Sequence, residues 1–586
     1  EMYWMAREYV VAGDDSVDTT VKSVYNAPDL TSAALYIDAT KPGSNESVTD
    51  QSGSTPSVTV TATGVTYDST EKAWTLTGAA TSNIVTADLG FEGDQPHSVS
   101  AWVKADQLNG DGLFHVGTAD GEGDSASRVG FVDDSHISWG GDSHFFSNAE
   151  WRNVTYTYNG EGSDKKLYLD GRHIGTAKNE DTFGDYPPFA MSGYSQYGYT
   201  VSASTDAYTN GSFNAWRAFN NTIGNEGWHA GEYNDGVTWN GTFNGTDNAY
   251  SGTRSLGGVS GEWLKLELPF RLKLSYLMLA SRDTSSNPQN QGPQDLVMMG
   301  SNDDVNWTTI KTVTGLTPAP DNEYDTIVTN AQKAYKYIAM VCTKVFGAGG
   351  FLAVGELRYF GHRENDLVRF PDPTNVLTYP HVAMTGPAQR GYVVSGSTHA
   401  FIPSSDSRDD PWRAFEGSTD VQNWKTHEMY TTAGVYSPAT YSRPASSITD
   451  TGSTQHSGEY LVLETPRKIT LSSWEVTAAY AARRIVDYAI LGSDTNSSSA
   501  NKTGWTLLTN GTFAAQETVT ATVSSPTTAF KYHAIVVKSV TNHSDSRRAQ
   551  IDEMKLYGTE SGDVIARIGD GYDGKVRNLR VYSTAL

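Results

Sequence analysis

Cysteine is all but missing. Cys342 stands alone among 586 residues, so no disulfide can form within the chain. It lies in an apolar stretch, Tyr337-Ile-Ala-Met-Val-Cys342, and its partner in the repeat described below is Val537, so it reads as a small buried hydrophobe and not a reactive thiol. A chain without disulfides is compatible with assembly in a reducing cytoplasm. Charge is also scarce: Asp, Glu, Lys and Arg make up 19% of the residues, and acids outnumber bases 67 to 43, for a net charge of −24. Phosphate binding needs clustered Lys and Arg, so this balance argues against a nucleic-acid partner. A pI near 4.9 suits a protein on a particle surface or outside the cell. No apolar run reaches the roughly 18 residues of a membrane-spanning helix. The chain opens at Glu1 with no initiator Met and no signal-peptide pattern, and reads as processed or trimmed. No Gly-x-Ser-x-Gly elbow, His-Glu-x-x-His pair or Walker loop occurs, and the histidines are scattered without ligand spacing.

What is present points to β structure. Glycine is plentiful at 56 residues, aromatics reach 11%, and Ser, Thr and Asn are abundant, as in a turn-rich all-β protein. The length predicts roughly three or four domains. The block Trp-Arg-Ala-Phe occurs twice, at Trp216–Phe219 and Trp412–Phe415, and its surroundings repeat in order. Met191-Ser-Gly returns as Met384-Thr-Gly, Trp228 as Trp424, and Gly261-Glu262-Trp-Leu-Lys-Leu-Glu267 as Gly458-Glu459-Tyr-Leu-Val-Leu-Glu464. Gly355-Glu356-Leu-Arg-Tyr-Phe-Gly361 returns as Asp552-Glu553-Met-Lys-Leu-Tyr-Gly558. An offset of about 195 residues is far beyond a solenoid period and means two copies of one domain.

Ahead of the repeats, residues 1–30 hold an aromatic patch, Met2-Tyr3-Trp4-Met5, and read as an N-terminal arm, a first strand or a plain surface segment. From Ala34 short alternating runs predict strands at Ala34–Asp38, Trp74–Thr77, His97–Lys104, Gly112–Gly117, Arg128–Val132, Trp151–Tyr158 and Lys166–Asp170, the last ending in an Asp170-Gly171 turn. The pieces Leu35-Tyr-Ile-Asp-Ala-Thr-Lys-Pro-Gly43, His97-Ser-Val-Ser-Ala-Trp-Val103, Trp151-Arg-Asn-Val-Thr-Tyr-Thr-Tyr158 and Leu167-Tyr-Leu-Asp-Gly171 resemble the concanavalin-like/laminin-G jelly roll. Its customary closing strand has no counterpart near residue 180. Tyr572-Asp573-Gly574-Lys-Val576-Arg-Asn-Leu579-Arg-Val581-Tyr582, at the far end, has that form. Two arrangements follow: the repeats are inserted into a jelly roll over 31–186 that 562–586 completes, or 562–586 adds a strand to the second repeat.

The repeats, at 187–361 and 379–558 with a Pro-containing linker over 362–378, are similar to discoidin domains, the coagulation factor C-type or family 32 carbohydrate-binding fold. The resemblance rests on Ala218-Phe219 with Trp228, Glu262-Trp-Leu-Lys-Leu-Glu-Leu268, Gly300-Ser-Asn-Asp-Asp-Val-Asn-Trp307 and Glu356-Leu-Arg-Tyr-Phe-Gly361. The fold class expected is therefore all-β: one concanavalin-like jelly roll and two discoidin-like antiparallel sandwiches. The resemblance implies that loops at one end of each sandwich bind glycan, with aromatic faces on sugar rings and polar groups on hydroxyls. The candidates are His229, Tyr233, Trp239 and Arg282 in the first copy, and His427, Tyr430, Tyr436 and Arg483 (or Arg484) in the second. Trp228 and Trp424 are expected in the core. The resemblance also implies a structural calcium between the residue after Ala-Phe and a Glu near the last strand. Here those are Asn220 with Glu356 and Glu416 with Glu553, so both copies depart from the usual Asp.

Catalysis is not expected. The Glu-x-Asp-x-x-Glu run of jelly-roll glucanases is missing, and Ser301–Trp307 is one residue short of a sialidase Asp-box, with Val305 in place of Gly. Pro380-His-Val-Ala-Met384-Thr-Gly-Pro-Ala-Gln-Arg-Gly391-Tyr-Val-Val394 is similar to tandem discoidin-type domains in structural proteins of large DNA viruses of algae. The readings that remain are a virion-surface protein that contacts glycans and neighbouring subunits, a secreted or cell-surface adhesin, and the binding modules of a truncated polysaccharide-active enzyme.

Overall fold

The structure, a computed structural model, describes residues 33–39, 48–53, 57–79, 81–107, 112–118, 126–133, 136–139, 142–146, 149–160, 164–206, 213–224, 227–233, 239–240, 242–282, 291–320, 322–347, 350–399, 409–418, 423–514, 516–524, 526–544, 547–569 and 571–586. The arm expected over 1–30 lies outside the described residues. The described chain is all-β, built of sheets packed in pairs whose named strands pair antiparallel, save Ser447–Asp450, which runs parallel to Asn501–Thr512.

Alternation along His97–Gln107 sends Val99, Ala101, Val103 and Ala105 to one face, where all four are buried. On one side of this strand lies Arg152–Tyr158, followed by Lys165–Leu169 and Arg172–Ala177. On the other lies Asp573–Tyr582, which also pairs with Ala33–Ile37 and Ala73–Thr77. In that register Val581 sits between Val99 and Leu35, and Val576 between Val103 and Trp74. Among the described residues, every ladder partner of Asp573–Tyr582 belongs to this sheet. The opposing sheet runs through Ala126–Asp133 and Gly112–Thr118 to Val564–Ile568 and then Asn83–Thr86. The chain thus leaves this sandwich after Arg172–Ala177 and comes back to both of its sheets at the end. Leu35, Trp74, Phe114, Phe131, Tyr156 and Val581 share one buried core.

The two copies have the same strand order. The first runs Gly184–Tyr186, Ala353–Arg363, Glu262–Ser281, Tyr335–Val345, Pro293–Ser301 and Thr308–Val313. The second begins Leu377–Tyr379, Glu553–Ser561, Glu459–Thr477, Phe530–Val540, Ile485–Ser493 and Asn501–Thr512. The long strand of each copy serves two sheets. Residues 262–267 pair with 342–337, the ladder shifts, and residues 272–281 pair with 363–354. Pro269 falls in the gap, and Pro466 falls in the matching gap between Glu464 and Ile469. Proline has no N–H to donate, so it is tolerated where the ladder changes partner. The repeated Trp-Arg-Ala-Phe blocks form single-turn 3₁₀ helices that bury Phe219 and Phe415 in separate cores. Cys342 is fully buried, its Sγ 3.3 Å from Lys344 O, and burial pushes its thiol well above the usual range.

The three sandwiches meet around the segment expected as a linker. Arg390, fully buried, donates through Nε to Asp181 Oδ1 at 3.0 Å and through Nη2 to Asp366 Oδ2 at 2.6 Å. His362 Nδ1 lies 3.1 Å from Asp366 Oδ1, and Thr182 Oγ1 donates to Asp366 Oδ2 at 2.6 Å. Burial works to raise the Asp366 carboxyl, but His362 and Arg390 hold it well below the usual range. Lys165 reaches from the first sandwich to Asp366 O at 2.9 Å. On the far side Arg369 grips Glu560 through both terminal nitrogens, at 2.8 and 2.6 Å, and Arg467 adds a contact at 3.3 Å.

Because Val581 is enclosed by Val99 and Leu35, Val581→Asp should destabilise the first sandwich by about 3 kcal/mol or more, the order of cost of a buried unpaired carboxylate. Calorimetry checks this, with one unfolding transition expected to fall while those of the repeats persist.

Candidate functional site

Each repeat positions its loop end through one buried relay. The indole N–H of Trp228 donates to Thr205 O at 2.9 Å, and that of Trp424 to Thr398 O at 2.8 Å. Both tryptophans are fully buried, as core residues. Thr205 Oγ1 donates to Glu262 Oε2 at 2.8 Å, and Thr398 Oγ1 donates to Glu459 Oε2. Each threonine hydroxyl also accepts a backbone N–H from beyond its tryptophan: Gly231 at 2.8 Å and His427 at 3.2 Å. The glutamates are fully buried, and in the second copy burial raises the Glu459 carboxyl although Thr398, Ser397 and Tyr436 hydroxyls oppose it. Two-residue strands complete the frame, Trp228–His229 on Ala353–Val354 and Trp424–Lys425 on Gln550–Ile551.

On this shared frame the two ends differ. In the first copy the His229 ring lies 5.0 Å from that of Phe213, and the Arg282 guanidinium stands 5.3 Å over the same phenyl ring. In the second copy Lys425 and Asp409 replace His229 and Phe213 and form an ion pair at 2.7 Å. His427 is half-buried. Arg548, beside it, donates to Thr426 O at 3.2 Å.

Two of the residues expected to touch sugar are corrected. His229 is only 2% exposed, because its short strand tucks it behind the Phe213 and Arg282 side chains. Burial, then the Arg282 charge, lowers its pKa to about 3, so the ring is neutral. Tyr430 is fully buried; its hydroxyl donates to Val537 O at 2.7 Å and accepts the Glu459 N–H at 3.3 Å. A ring held this way braces the core and has no free face for a sugar. Tyr436 packs edge-on against Tyr430 at 5.5 Å, accepts the Ser446 N–H at 2.7 Å and faces Glu459 Oε1 at 3.4 Å. Its ring is half-buried. Arg282 and His427 lie at the loop ends. Arg483 donates to Gln550 Oε1 at 2.9 Å and lies 4.6 Å over the exposed Tyr480 ring. Tyr233 and Trp239 pair through their backbones, and their side chains lie outside the described residues. Phe213, His399, Arg443 and Arg548 were not singled out by sequence. The signal for Arg548 was its place opposite Phe351 when the copies are set in register.

Calcium takes about six to eight oxygen ligands. Glu356 Oε1 and Oε2 instead accept the N–H groups of Asn221 and Thr222, at 3.1 and 3.2 Å, and Asn220 Oδ1 accepts that of Thr222 at 3.0 Å. In the second copy Glu553 Oε2 accepts the Gly417 N–H at 3.1 Å, and Glu416 is paired with Arg413 at 2.7 Å. Backbone N–H groups and a guanidinium stand where a cation would be bound, so these residues do not fit calcium. Among the described residues no three His, Cys, Asp or Glu side chains gather as a metal set. Asp303, in the Asp-box-like segment, caps its own turn by accepting the Val305 and Asn306 N–H groups at 2.9 and 2.7 Å.

No protein-family model matches the chain, and no curated protein matches it. Among solved structures it is similar to a fucolectin from striped bass serum, at 12% identity over 62% of this chain and 97% of that one, with a TM-score of 0.20. A family 32 carbohydrate-binding module of Clostridium perfringens, solved with galactose, matches at 19% identity over 28% of this chain and 93% of its own, with a TM-score of 0.20. Allantoicase from Saccharomyces cerevisiae matches at 11% over 62% and 90%, with a TM-score of 0.25. With scores this low, the fold assignment rests on the strand pairing itself.

A neutral, buried His229 makes stability depend on pH. Its pKa is 6.5 when exposed and about 3 in the fold, so between these values the unfolded chain holds a proton the fold excludes. This contribution is fully present above pH 6.5 and is lost as pH falls toward 3. The melting temperature of His229→Phe should therefore decline less on acidification than that of the parent; parallel declines would contradict the burial.

Proposed function

We propose that this is a non-catalytic, glycan-binding surface protein, in which two discoidin-like sandwiches are carried by a concanavalin-like jelly roll. The observation that carries the reading is one frame with two different ends. Trp228, Thr205 and Glu262 are matched by Trp424, Thr398 and Glu459, while at the loops Phe213 and His229 are replaced by Asp409 and Lys425. A scaffold held constant by buried hydrogen bonds, with its rim free to vary, suits recognition of two ligands. The buried carboxylates Glu262 and Glu459 bond to core hydroxyls and act as struts, which supports a binding role over a catalytic one.

Within that reading the protein is a virion component, in a capsid or fibre, that mediates assembly or host-surface attachment. The wording of residues 380–394, the free buried Cys342 and the ionic clamp around Arg390 support it. Such a chain needs no oxidising compartment and holds its modules in fixed orientation. Single-site affinities near the millimolar range are worth only about −4 kcal/mol, so binding relies on many copies.

A glycan array probed with the full chain in multivalent display is expected to show binding; no binding to any glycan would overturn the recognition reading. Proteomics of purified large DNA virus particles should detect the chain. Finding it only at a cell surface, with sugar binding retained, would replace the virion placement with that of an adhesin.

A further inference from the structure

The repeats act as internal controls for each other, because matched hydrogen bonds set them in register. Gly231 and His427 both donate their N–H to the threonine of the relay, and are therefore equivalent. Ala230 N–H meets Leu352 O at 3.0 Å and Thr426 N–H meets Ala549 O at 3.1 Å, which makes Phe351 the equivalent of Arg548. Asp206 and His399 each follow the threonine whose carbonyl accepts the tryptophan N–H. On one backbone, then, the second copy carries His399, His427 and Arg548 where the first carries Asp206, Gly231 and Phe351.

Arg443 joins them from the next loop and is exposed. Hydrogen bonds bring four segments together there: the His427 N–H donates to Thr398 Oγ1 at 3.2 Å, Arg548 Nη1 donates to Thr426 O at 3.2 Å, and the hydroxyl of Tyr441, two residues before Arg443, donates to Tyr430 O at 2.7 Å. Among the described residues opposing charge is outnumbered: the single carboxylate of Glu428 is shared between two guanidiniums, Arg548 at 3.6 Å and Arg547 at 3.8 Å. Asp409 is neutralised by Lys425 at 2.7 Å, and Asp410 accepts the Trp412 indole N–H at 3.3 Å. Among the described residues no ion pair engages Arg443. A local excess of positive charge on a chain of net charge −24 is a selective feature, since the remaining surface repels polyanions.

We propose that the loop end of the second repeat binds an acidic sugar residue bearing a carboxylate or sulfate, with Arg443 and Arg548 pairing the anionic group and His427 bonding a hydroxyl. This rests on the glycan-binding reading above and names its ligand class.

The test uses the full chain against immobilised polygalacturonate, dextran sulfate, uncharged galactan and a DNA duplex. Binding to one or both acidic polysaccharides is expected, weakening with salt. Arg443→Gln should weaken it about tenfold, the order of one charge-assisted hydrogen bond, as should Arg548→Gln. Lys311→Gln, on an exposed strand of the first repeat, should leave it unchanged. Arg548 also holds Thr426 O, so exposed Arg443 is the substitution that tests charge without disturbing the fold. The carboxylate and sulfate arms separate the two ligand chemistries. Binding to galactan alone, unaltered acidic binding by Arg443→Gln, or equal capture of DNA would overturn the acidic-sugar assignment and leave the glycan reading standing. Silence on every polysaccharide and on the multivalent array would overturn the reading beneath it.

Discussion

The slot beside His97–Gln107 is the constraint on which the rest of the molecule depends. That strand buries one face completely, and its free edge is closed by Asp573–Tyr582, the last strand of the chain. Until those residues pair, the edge presents unsatisfied N–H and C=O groups beside an apolar face. Both repeats are therefore looped out between Ala177 and Val564, and the first sandwich is held shut from both ends of the sequence. The arrangement also sets the start of the excursion against the segment between the repeats, which is where Arg390, Asp366, Asp181 and His362 meet.

Burying that many ions is costly unless each is paired and hydrogen-bonded. Here they are: Asp366 receives Arg390, His362 and Thr182, and Glu560 receives Arg369 and Arg467. Such pairs tolerate only one geometry, so their contribution is orientation. Inside each repeat the same logic works on a smaller scale. A buried glutamate holds a threonine hydroxyl, the hydroxyl takes a backbone N–H, and the loop end is fixed relative to the tryptophan core. Because the frame is internal, rim residues can change without loss of fold.

Much of the fold was legible because a half-buried strand writes its burial at every second residue. His97–Lys104, Trp151–Tyr158 and the terminal Tyr572–Tyr582 pattern all carry it. The site was less legible. His229 and Tyr430 lie in polar, Gly-rich sequence, which reads as exposed loop. Their burial comes from strands of two residues and an isolated bridge, too short to leave a period. Arg548 and Arg443 are far from His427 in sequence and close to it only through the fold. The departures at Asn220 and Glu416 did show in sequence, and backbone N–H groups fill the place that a cation would need.

By itself the sequence determined the all-β class, the duplicated domain, the single inert thiol and the acidic, weakly charged surface, because these follow from composition, period and internal repetition. Tertiary structure alone decided what equivalent residues do. Tyr197 and Arg390 occupy the same turn with nearly the same left-handed backbone, at φ 49 and 52, yet Tyr197 is 79% exposed and Arg390 is fully buried. The difference lies in what the neighbouring sandwich places against each turn. At such a turn, burial and charge pairing are set by surroundings assembled from distant segments, and no alternation along the strand encodes them.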